Sequence, residues 1–371
     1  MLKKKYILIF VLLLVAILIG GAASDKNPEY IVPTELYKLV YPANFGNNFE
    51  IPANNPTTKE GVYLGRMLFY EKQLSSNNKI SCGTCHQQKL AFTDGKQFSS
   101  GVDNQLTERN SMSLANLLWV KNFFWDGRAK GLEEQAKGPL TNPHEMGKSI
   151  KEGIKKLEKT KEYPRLFKLV FGTNEINSDR ILKAISQFER TLISADSRYD
   201  QYLRGTYQPT KQEQNGMDLF MTNANPEKNI RGASCAHCHG TPKMYKELFH
   251  NNGLDSVAED IGRKKITGLA NDRGRFRVVT LRNIALTAPY MHDGRFKTLE
   301  EVLDHYSEHI QTSKTLSPFL QGISNVPGGK SLQLTKQEKK DLIQFLKMLT
   351  DSTFINNPEF SDPKNIKTKN S

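Results

Sequence analysis

Several features that would assign a function quickly are scarce or absent in this 371-residue sequence. Arginine-rich runs, RNA-binding signatures and zinc-finger spacings are missing, so the net charge of +13 gives no support to nucleic-acid binding. The positive excess suits an acidic protein partner or an anionic surface, although a solvated lysine-rich surface explains it more simply. Strand-like alternation is rare and the hydrophobic content is a modest 37%. The chain is therefore predicted to be mainly helical, with enough apolar residues for a buried core.

The N-terminus contains the one long apolar run. Lysines at 3–5 precede an apolar stretch of 13 residues, and small residues follow at 21–23. This order predicts a secretory signal peptide over residues 1–23 and an exported, periplasmic protein. The stretch is short for a spanning helix of about 20 residues, although an uncleaved anchor stays open. No cysteine lies near Ala23, which excludes a lipid-modified cysteine there.

The sequence has only four cysteines, and all of them lie in two stretches of one pattern, SCGTCH and SCAHCH. The residues of this pattern are Cys82, Cys85, His86, Cys235, Cys238 and His239. Export favours disulfides, but such short loops suit structural bridges poorly, which leaves redox dithiols or a four-cysteine zinc site as rivals. Cys-x-x-Cys-His is the attachment sequence of c-type haem, whose iron the histidine ligates. Two complete copies predict two covalent haems.

The similarity between the two stretches extends into a repeated unit. ERNSMSLANLLWVKNFFWDGRAKGLEEQ follows the first motif, and LRNIALTAPYMHDGRFKTLEEV follows the second. Both contain Arg-Asn, then Asp-Gly-Arg, then Leu-Glu-Glu, which indicates duplication of one haem-binding unit. A boundary near YLRGTYQPT predicts an N-terminal haem domain at 24–205, a C-terminal haem domain at 206–355 and a flexible tail at 356–371.

Helical patterns occur in both units. SDRILKAISQFERTLIS has apolar residues at helical spacing, namely Ile181, Leu182, Ile185, Phe188 and Leu192. TKQEKKDLIQFLKMLT and TKQEQNGMDLFMT each begin with a threonine three residues before a glutamate, the pattern of a capping box. The predicted fold is all-α, with two tandem c-type cytochrome-like domains and long ordered loops, each domain enclosing one covalent haem.

The order and spacing of these motifs, with FFWDGR and NPHEM between them, resemble the bacterial di-haem cytochrome c peroxidase family, which includes MauG-like enzymes. The resemblance implies that the first haem is the peroxidatic centre and that the second passes electrons to it. It implies that Trp125 carries charge between the haems. It also implies that Glu145 moves a proton during peroxide cleavage, with Gln135 and Pro139 beside it in the distal pocket.

The same resemblance implies a calcium ion between the haems. Its ligands would be Asn110, Thr287 and Pro289. Amide and carbonyl oxygens are suitable hard ligands for calcium. The resemblance therefore adds one calcium ion to the two haems as an expected cofactor.

The sequence departs from many family members at the first haem. In those members a histidine eight residues before the position of Asn110 binds the resting iron; here that position is Val102. No histidine lies between His86 and Asn110. The resemblance then implies an open first haem in the oxidised state. His144 is the nearest alternative ligand, although packing or surface exposure is the commoner role for such a histidine.

A second departure concerns the second haem. Typical peroxidase members have a methionine seven residues after the leucine at the position of Leu299, and here that residue is Tyr306. MauG-like proteins have a tyrosine ligand at this position, and a phenolate lowers the iron potential, whereas methionine raises it. Met291 stays open as the alternative ligand, and His305 and His309 flank Tyr306.

The resulting leading hypothesis is an enzyme, a di-haem peroxidase that reduces hydrogen peroxide with electrons from a small cytochrome or a cupredoxin. One alternative is a MauG-like enzyme that oxidises residues of a protein substrate. A third hypothesis is a di-haem electron carrier without catalysis, against which Glu145 and the missing distal histidine argue. The sequence contains no recognisable donor-binding motif, and it leaves a homodimer open.

Overall fold

The computed structural model describes residues 35–147 and 150–365, which are rich in helix and contain little sheet. The predicted signal peptide and the last six residues lie outside the described residues. The α-helices are α1 (Lys59–Phe69), α2 (Cys82–Cys85), α3 (Leu132–Thr141), α4 (Ile150–Glu158), α5 (Glu162–Phe171), α6 (Ser178–Glu189), α7 (Arg198–Leu203), α8 (Lys211–Met221), α9 (Lys264–Thr267), α10 (Leu299–Glu308), α11 (Lys336–Met348) and α12 (Ser352–Asn356). Strands β1 (Phe249–His250) and β2 (Phe276–Arg277) pair antiparallel. Within the described ranges, no helix has the length and apolar character needed to cross a membrane.

Side-chain caps determine where several helices begin. At the start of α11, Glu338 N donates to Thr335 Oγ1 at 3.2 Å, and Thr335 N donates to Glu338 Oε2 at 2.7 Å. Thr210 and Glu213 form the same reciprocal pair at the start of α8. Each pair satisfies backbone donors that the first helical turn leaves without partners. Both capping boxes predicted from the sequence are therefore confirmed.

Two helix pairs organise the two halves of the described chain. Helix α1 packs against α6 in the first half, and α8 packs against α11 in the second. The predicted apolar stripe of α6 is buried except for the partly exposed Leu182, and Ile181 and Phe188 are fully enclosed. In the second half, the rings of Phe220 and Phe345 lie 5.1 Å apart between α8 and α11. Each Cys-x-x-Cys-His motif follows the first helix of its pair, as a duplication requires, while the boundary near residue 205 stays a prediction.

The backbone shows the register of the internal repeat. Asn116 and Asn283 both adopt left-handed conformations, with φ of 63° and 62°, and each precedes a short 3₁₀ turn. Each also lies ten residues before the aspartate of an Asp-Gly-Arg sequence. The structural counterpart of Asn283 is therefore Asn116. An alignment of the two Arg-Asn pairs would instead equate Asn283 with Asn110. Matching the two Arg-Asn pairs misplaced the repeat here by six residues.

The end of the described chain returns to the first half. Phe354 of α12 packs against Phe92, with ring centroids 5.5 Å apart. Arg66 Nε donates to the Ser361 carbonyl oxygen at 2.6 Å. The structure therefore differs from the expected flexible tail as far as residue 365, because aromatic rings and backbone carbonyls of this segment have partners in the first half.

Candidate functional site

The first Cys-x-x-Cys-His motif presents a histidine with a defined tautomer. His86 Nδ1 lies 2.8 Å from the carbonyl oxygen of Phe92. A carbonyl only accepts hydrogen bonds, so Nδ1 carries the proton and Nε2 keeps its lone pair for a metal. Burial lowers the pKa of His86, which favours the neutral ring. These features suit a proximal ligand of haem iron.

The second motif presents a histidine with the same tautomer, although its backbone conformation differs. Cys235 begins a 3₁₀ turn, Cys235–His237, and Cys238 follows it, whereas the first motif forms an α-helical turn. His239 Nδ1 lies 3.1 Å from the Val279 carbonyl oxygen, so this ring also keeps Nε2 as the free acceptor. Burial lowers the pKa of His239 to about 4. Both histidines therefore offer the same nitrogen to an iron.

The thiols fit haem attachment better than the rival chemistries. All four cysteines are unpaired. Burial raises the pKa of Cys85 to about 11 and that of Cys235 to about 12, whereas redox dithiols depend on lowered values. Across the described ranges, no three or more His, Cys, Asp or Glu side chains converge as a metal site, which gives a four-cysteine zinc site no geometric support. The residues present therefore fit two c-type haems.

Glu145 lies within electrostatic reach of the first motif. The pKa of Cys85 is raised mainly by burial and by the charge of Asp94. The Glu145 carboxylate makes a further, smaller contribution to the same shift. Burial raises the pKa of Glu145 itself, and the Asn142 hydrogen bond and the charge of Arg128 oppose that shift. Asn142 Nδ2 donates to Glu145 Oε1 at 2.7 Å. A partly desolvated, hydrogen-bonded carboxyl group of this kind can accept and return a proton.

The position of the family's distal histidine adjoins Glu145. Val102 N donates to the carbonyl oxygen of Glu145 at 3.0 Å. This close approach depends on Gly101, because a Cβ there would lie 1.5 Å from the His144 carbonyl oxygen. The His144 side chain is 52% exposed, and its Nδ1 lies 2.8 Å from Asp103 Oδ2. The rival ligand His144 is therefore engaged by a surface carboxylate.

Helices α3 and α10 show how the two copies diverged. Both begin with Leu-Glu-Glu, at Leu132 and at Leu299. Seven residues after this leucine lies Tyr306 in α10, and the equivalent position in α3 is Pro139. Proline has no side-chain atom that can ligate a metal, whereas a tyrosine oxygen can. Gln135, also on α3, makes no side-chain hydrogen bond to the described residues, so its amide is available to a ligand.

The two candidate iron ligands of the second site, Tyr306 and Met291, both accept a hydrogen bond from the side-chain amide of Asn252. Asn252 Nδ2 donates to Tyr306 Oη at 3.3 Å and to Met291 Sδ at 3.4 Å. Burial raises the pKa of Tyr306 to about 12, and the Asn252 hydrogen bond opposes that shift. His305 Nε2 bonds to the Asn252 carbonyl oxygen at 3.0 Å, and His309 is exposed. Asn252 was not predicted from the sequence, because Asn-Asn-Gly has the composition of an ordinary turn.

The remaining predicted site residues line a cavity between the two halves. Trp125, Asn110, Thr287 and Pro289 all line it. Trp125 Nε1 donates to the Asn110 carbonyl oxygen at 2.9 Å, and Asn110 Nδ2 donates to the Lys96 carbonyl oxygen at 2.8 Å. The Asn110 amide oxygen accepts no hydrogen bond from the described residues. The structure thus brings together residues from both halves that the family resemblance placed between the haems.

Comparisons of sequence identify relatives of this chain. The family model of the di-haem cytochrome c peroxidases matches residues 59–208. Methylamine utilization protein MauG of Methylorubrum extorquens is 33% identical over 302 residues, which cover 80% of each chain. Cytochrome c551 peroxidase of Nitrosomonas europaea is 34% identical over 318 residues, which cover 84% of this chain and 85% of that protein.

Solved structures show the same relationship. A MauG-like protein associated with microbial copper homeostasis has a TM-score of 0.77 and 38% identity, covering 89% of this chain and 98% of its own. The diheme peroxidase BthA from Burkholderia thailandensis shares the fold, with a TM-score of 0.68 and 21% identity over 83% of this chain and 90% of its own. By sequence, the chain belongs to the di-haem cytochrome c peroxidase and MauG-like family.

Proposed function

We propose that this protein is a di-haem peroxidase that reduces hydrogen peroxide with electrons from a protein donor. The observation that carries the proposal is the contrast between two otherwise similar Cys-x-x-Cys-His sites. A carboxyl group with a raised pKa, Glu145, accompanies the first, and a phenol, Tyr306, accompanies the second. The test is steady-state turnover with hydrogen peroxide and a reduced small cytochrome or cupredoxin. A protein that binds two haems but consumes no peroxide with any donor would be an electron carrier instead.

The haems, when bound, supply iron that can accept peroxide and store oxidising equivalents. Glu145 takes a proton from one peroxide oxygen and returns it to the other, so that water can leave. Asn142 holds the carboxylate in place by its 2.7 Å hydrogen bond. Gln135, with its unused amide, orients the peroxide beside this carboxylate. Val102 leaves the same side without a competing imidazole.

Trp125 carries charge between the two sites in this proposal. Its indole lines the cavity between the halves, and its N–H is bound to the Asn110 carbonyl oxygen. That hydrogen bond fixes the ring plane and stabilises positive charge on an oxidised indole. A calcium ion held by Asn110, Thr287 and Pro289 would tie this segment of the first half to the second.

The attachment of the haems and the location of the protein complete the proposal. The four cysteines would hold both haems covalently through thioether bonds, and His86 and His239 would ligate the irons. Haem attachment of this type and the N-terminal sequence both favour export to the periplasm. There the basic surface would meet an electron donor or a substrate protein.

Replacing Tyr306 is predicted to alter the second haem alone. The fully oxidised wild-type protein should give one high-spin and one low-spin ferric signal in electron paramagnetic resonance. Tyr306→Phe should perturb only the low-spin signal, because it removes the phenol oxygen beside the second motif. Met291→Leu is the matched control and should leave that signal nearly unchanged. Two low-spin signals at rest would refute the open first site and point to His144 or another ligand.

The opposite result for the two variants would change the assignment. If Met291→Leu disturbs the low-spin signal and Tyr306→Phe does not, the second haem has a thioether ligand. Its potential would then be high, because a neutral sulfur stabilises ferrous iron better than a phenolate does. The protein would in that case resemble an ordinary cytochrome c peroxidase more than a MauG-like enzyme.

A second candidate function is oxidation of residues in a protein substrate. The tyrosine at position 306 favours it, because a phenolate ligand suits storage of an oxidising equivalent better than rapid uptake of an electron. The two functions predict different reductants. A peroxidase turns over with a small reduced cytochrome or cupredoxin, whereas the alternative requires peroxide-dependent modification of a target protein, detectable as a mass change, with little donor turnover.

A further inference from the structure

Three polar side-chain atoms in one region of the second half are buried and have no hydrogen-bond partner. They are the Tyr245 hydroxyl, Glu247 Oε1 and Arg277 Nε. Arg277 is only 6% exposed, and both Arg277 and Tyr245 line the cavity that also contains Trp125. Buried polar atoms are nearly always hydrogen-bonded, so the two unsatisfied groups of residues that line this cavity, on Tyr245 and Arg277, indicate a polar ligand.

The Arg277 guanidinium has no strong hydrogen-bond or ion-pair partner among the described residues. Its side-chain contact is a weak one from Nη2 to Met112 Sδ at 4.0 Å, while its backbone N–H donates to the Trp125 carbonyl oxygen at 2.8 Å. Arg277 and Glu247 do not approach within ion-pair distance in the described structure, and Glu247 Oε2 instead accepts from Asn122 at 3.0 Å. Arginine remains protonated in proteins, so a buried cation faces the cavity without a bound anion.

The donors in this region specify the class of guest. A guanidinium offers a planar fork that matches a carboxylate, and a phenol hydroxyl provides one further donor. The cavity wall includes Ser111, whose hydroxyl donates to the Cys85 carbonyl oxygen, and Val279, whose carbonyl oxygen binds His239. A guest there lies between the surroundings of both Cys-x-x-Cys-His sites, and haems carry propionate carboxylates.

We propose that Arg277 and Tyr245 bind a propionate carboxylate of one of the two haems. The proposal rests on the two haems of the proposed function and assigns two residues that no attachment motif includes. Arg277 is then a positioning residue. It balances the propionate charge inside the protein and, through its backbone N–H, ties that haem to the segment containing Trp125.

Removing the Arg277 charge should change a redox potential and its pH dependence. Loss of a nearby cation favours ferric over ferrous iron, so the potential of one haem should fall. The unpaired propionate should then bind a proton more readily, because burial without a cation disfavours its charge. At low pH that proton offsets the lost cation, so the potential of Arg277→Gln should decrease more steeply than wild type as the pH rises from about 6 to about 8.

The experiment is a spectroscopic redox titration of both haems at several pH values in wild type, Arg277→Gln and Arg275→Gln. Arg275 is the matched control, because it lies on the same segment, pairs with Asp272 at 3.7 Å and does not line the cavity. Resonance Raman bands of the propionate groups give an independent readout. The expected result is a shifted potential and altered propionate bands for one haem in Arg277→Gln, and neither change in Arg275→Gln.

Two measurements keep the outcome decisive. Haem content, from the alkaline pyridine spectrum, should stay at two per chain in Arg277→Gln because thioether bonds would still hold each haem. If wild type contains fewer than two haems, the proposed function fails; if both haems are present and Arg277→Gln matches Arg275→Gln, only the propionate site fails. Should Arg277→Gln not fold, Tyr245→Phe replaces it, and unchanged propionate bands in that variant would overturn the proposal.

Discussion

Replacing Glu145 with glutamine is expected to leave both haems bound and to slow the reaction with hydrogen peroxide by roughly 10²–10⁴-fold. Glutamine preserves the size of the side chain and can still hydrogen-bond to Asn142. It cannot, however, accept a proton from one peroxide oxygen and return it to the other. Stopped-flow mixing of the oxidised protein with peroxide measures the rate directly, because the haem absorption changes in the same step.

The pH dependence provides a sharper form of the same test. Burial raises the pKa of Glu145, so its basic form is lost, as the pH falls, at a higher pH than for an exposed carboxylate. The wild-type rate should therefore decline on the acid side, and Glu145→Gln should lack that decline. Glu134→Gln is the matched control, since Glu134 is exposed on α3. An unchanged rate in Glu145→Gln would reassign Glu145 to a structural role and leave Gln135 or water as the proton carrier.

The features that the sequence predicts most directly belong to short motifs with local chemistry. His86 and His239 follow their cysteines directly, so the motif fixes their identity without knowledge of the fold. The capping threonines of α8 and α11 are predictable for the same reason, because each acts within one helical turn. Pattern and local geometry coincide in these cases.

The partners of those residues depend on the folded course of the backbone and, in some cases, on contacts between distant segments. Phe92 and Val279 both orient a histidine by a backbone carbonyl, and any residue type could supply that group. Asn252 acts on Tyr306 from 54 positions away, and Arg277 reaches a cavity shared with the first half. No periodicity or spacing encodes such contacts, because they arise only when the loops fold around the site.

The C-terminal segment shows that composition can also predict disorder where the structure is ordered. The segment after α11 contains proline, asparagine and charged residues, a composition typical of disorder. Its few aromatic residues nevertheless bury themselves against the first half, where Phe360 is 7% exposed and Tyr70 Oη donates to its carbonyl oxygen at 2.7 Å. Average composition carries little information about a segment whose order depends on two or three anchoring side chains.

Replacing Cys235 and Cys238 together with alanine is expected to remove the second haem and to leave the first in place. Each pair of thiols supplies both covalent bonds to one porphyrin, so the double variant has no attachment at that site. The two sites also belong to different helix pairs, α1 with α6 and α8 with α11, which limits the effect of one loss on the other. Peroxide turnover with an external donor should then cease, because electrons would have no entry through the second site.

Intact mass and haem staining after denaturing electrophoresis measure this outcome. The wild-type protein should exceed its polypeptide mass by two haem groups, and the Cys235→Ala/Cys238→Ala variant by one. Cys82→Ala/Cys85→Ala is the reciprocal control, which should retain only the second haem and its low-spin signal. Complete loss of colour in either double variant would show that the sites depend on each other for maturation. A colourless wild-type protein, or one that contains zinc, would contradict the assignment of both motifs, because each Cys-x-x-Cys-His site would then perform a different chemistry.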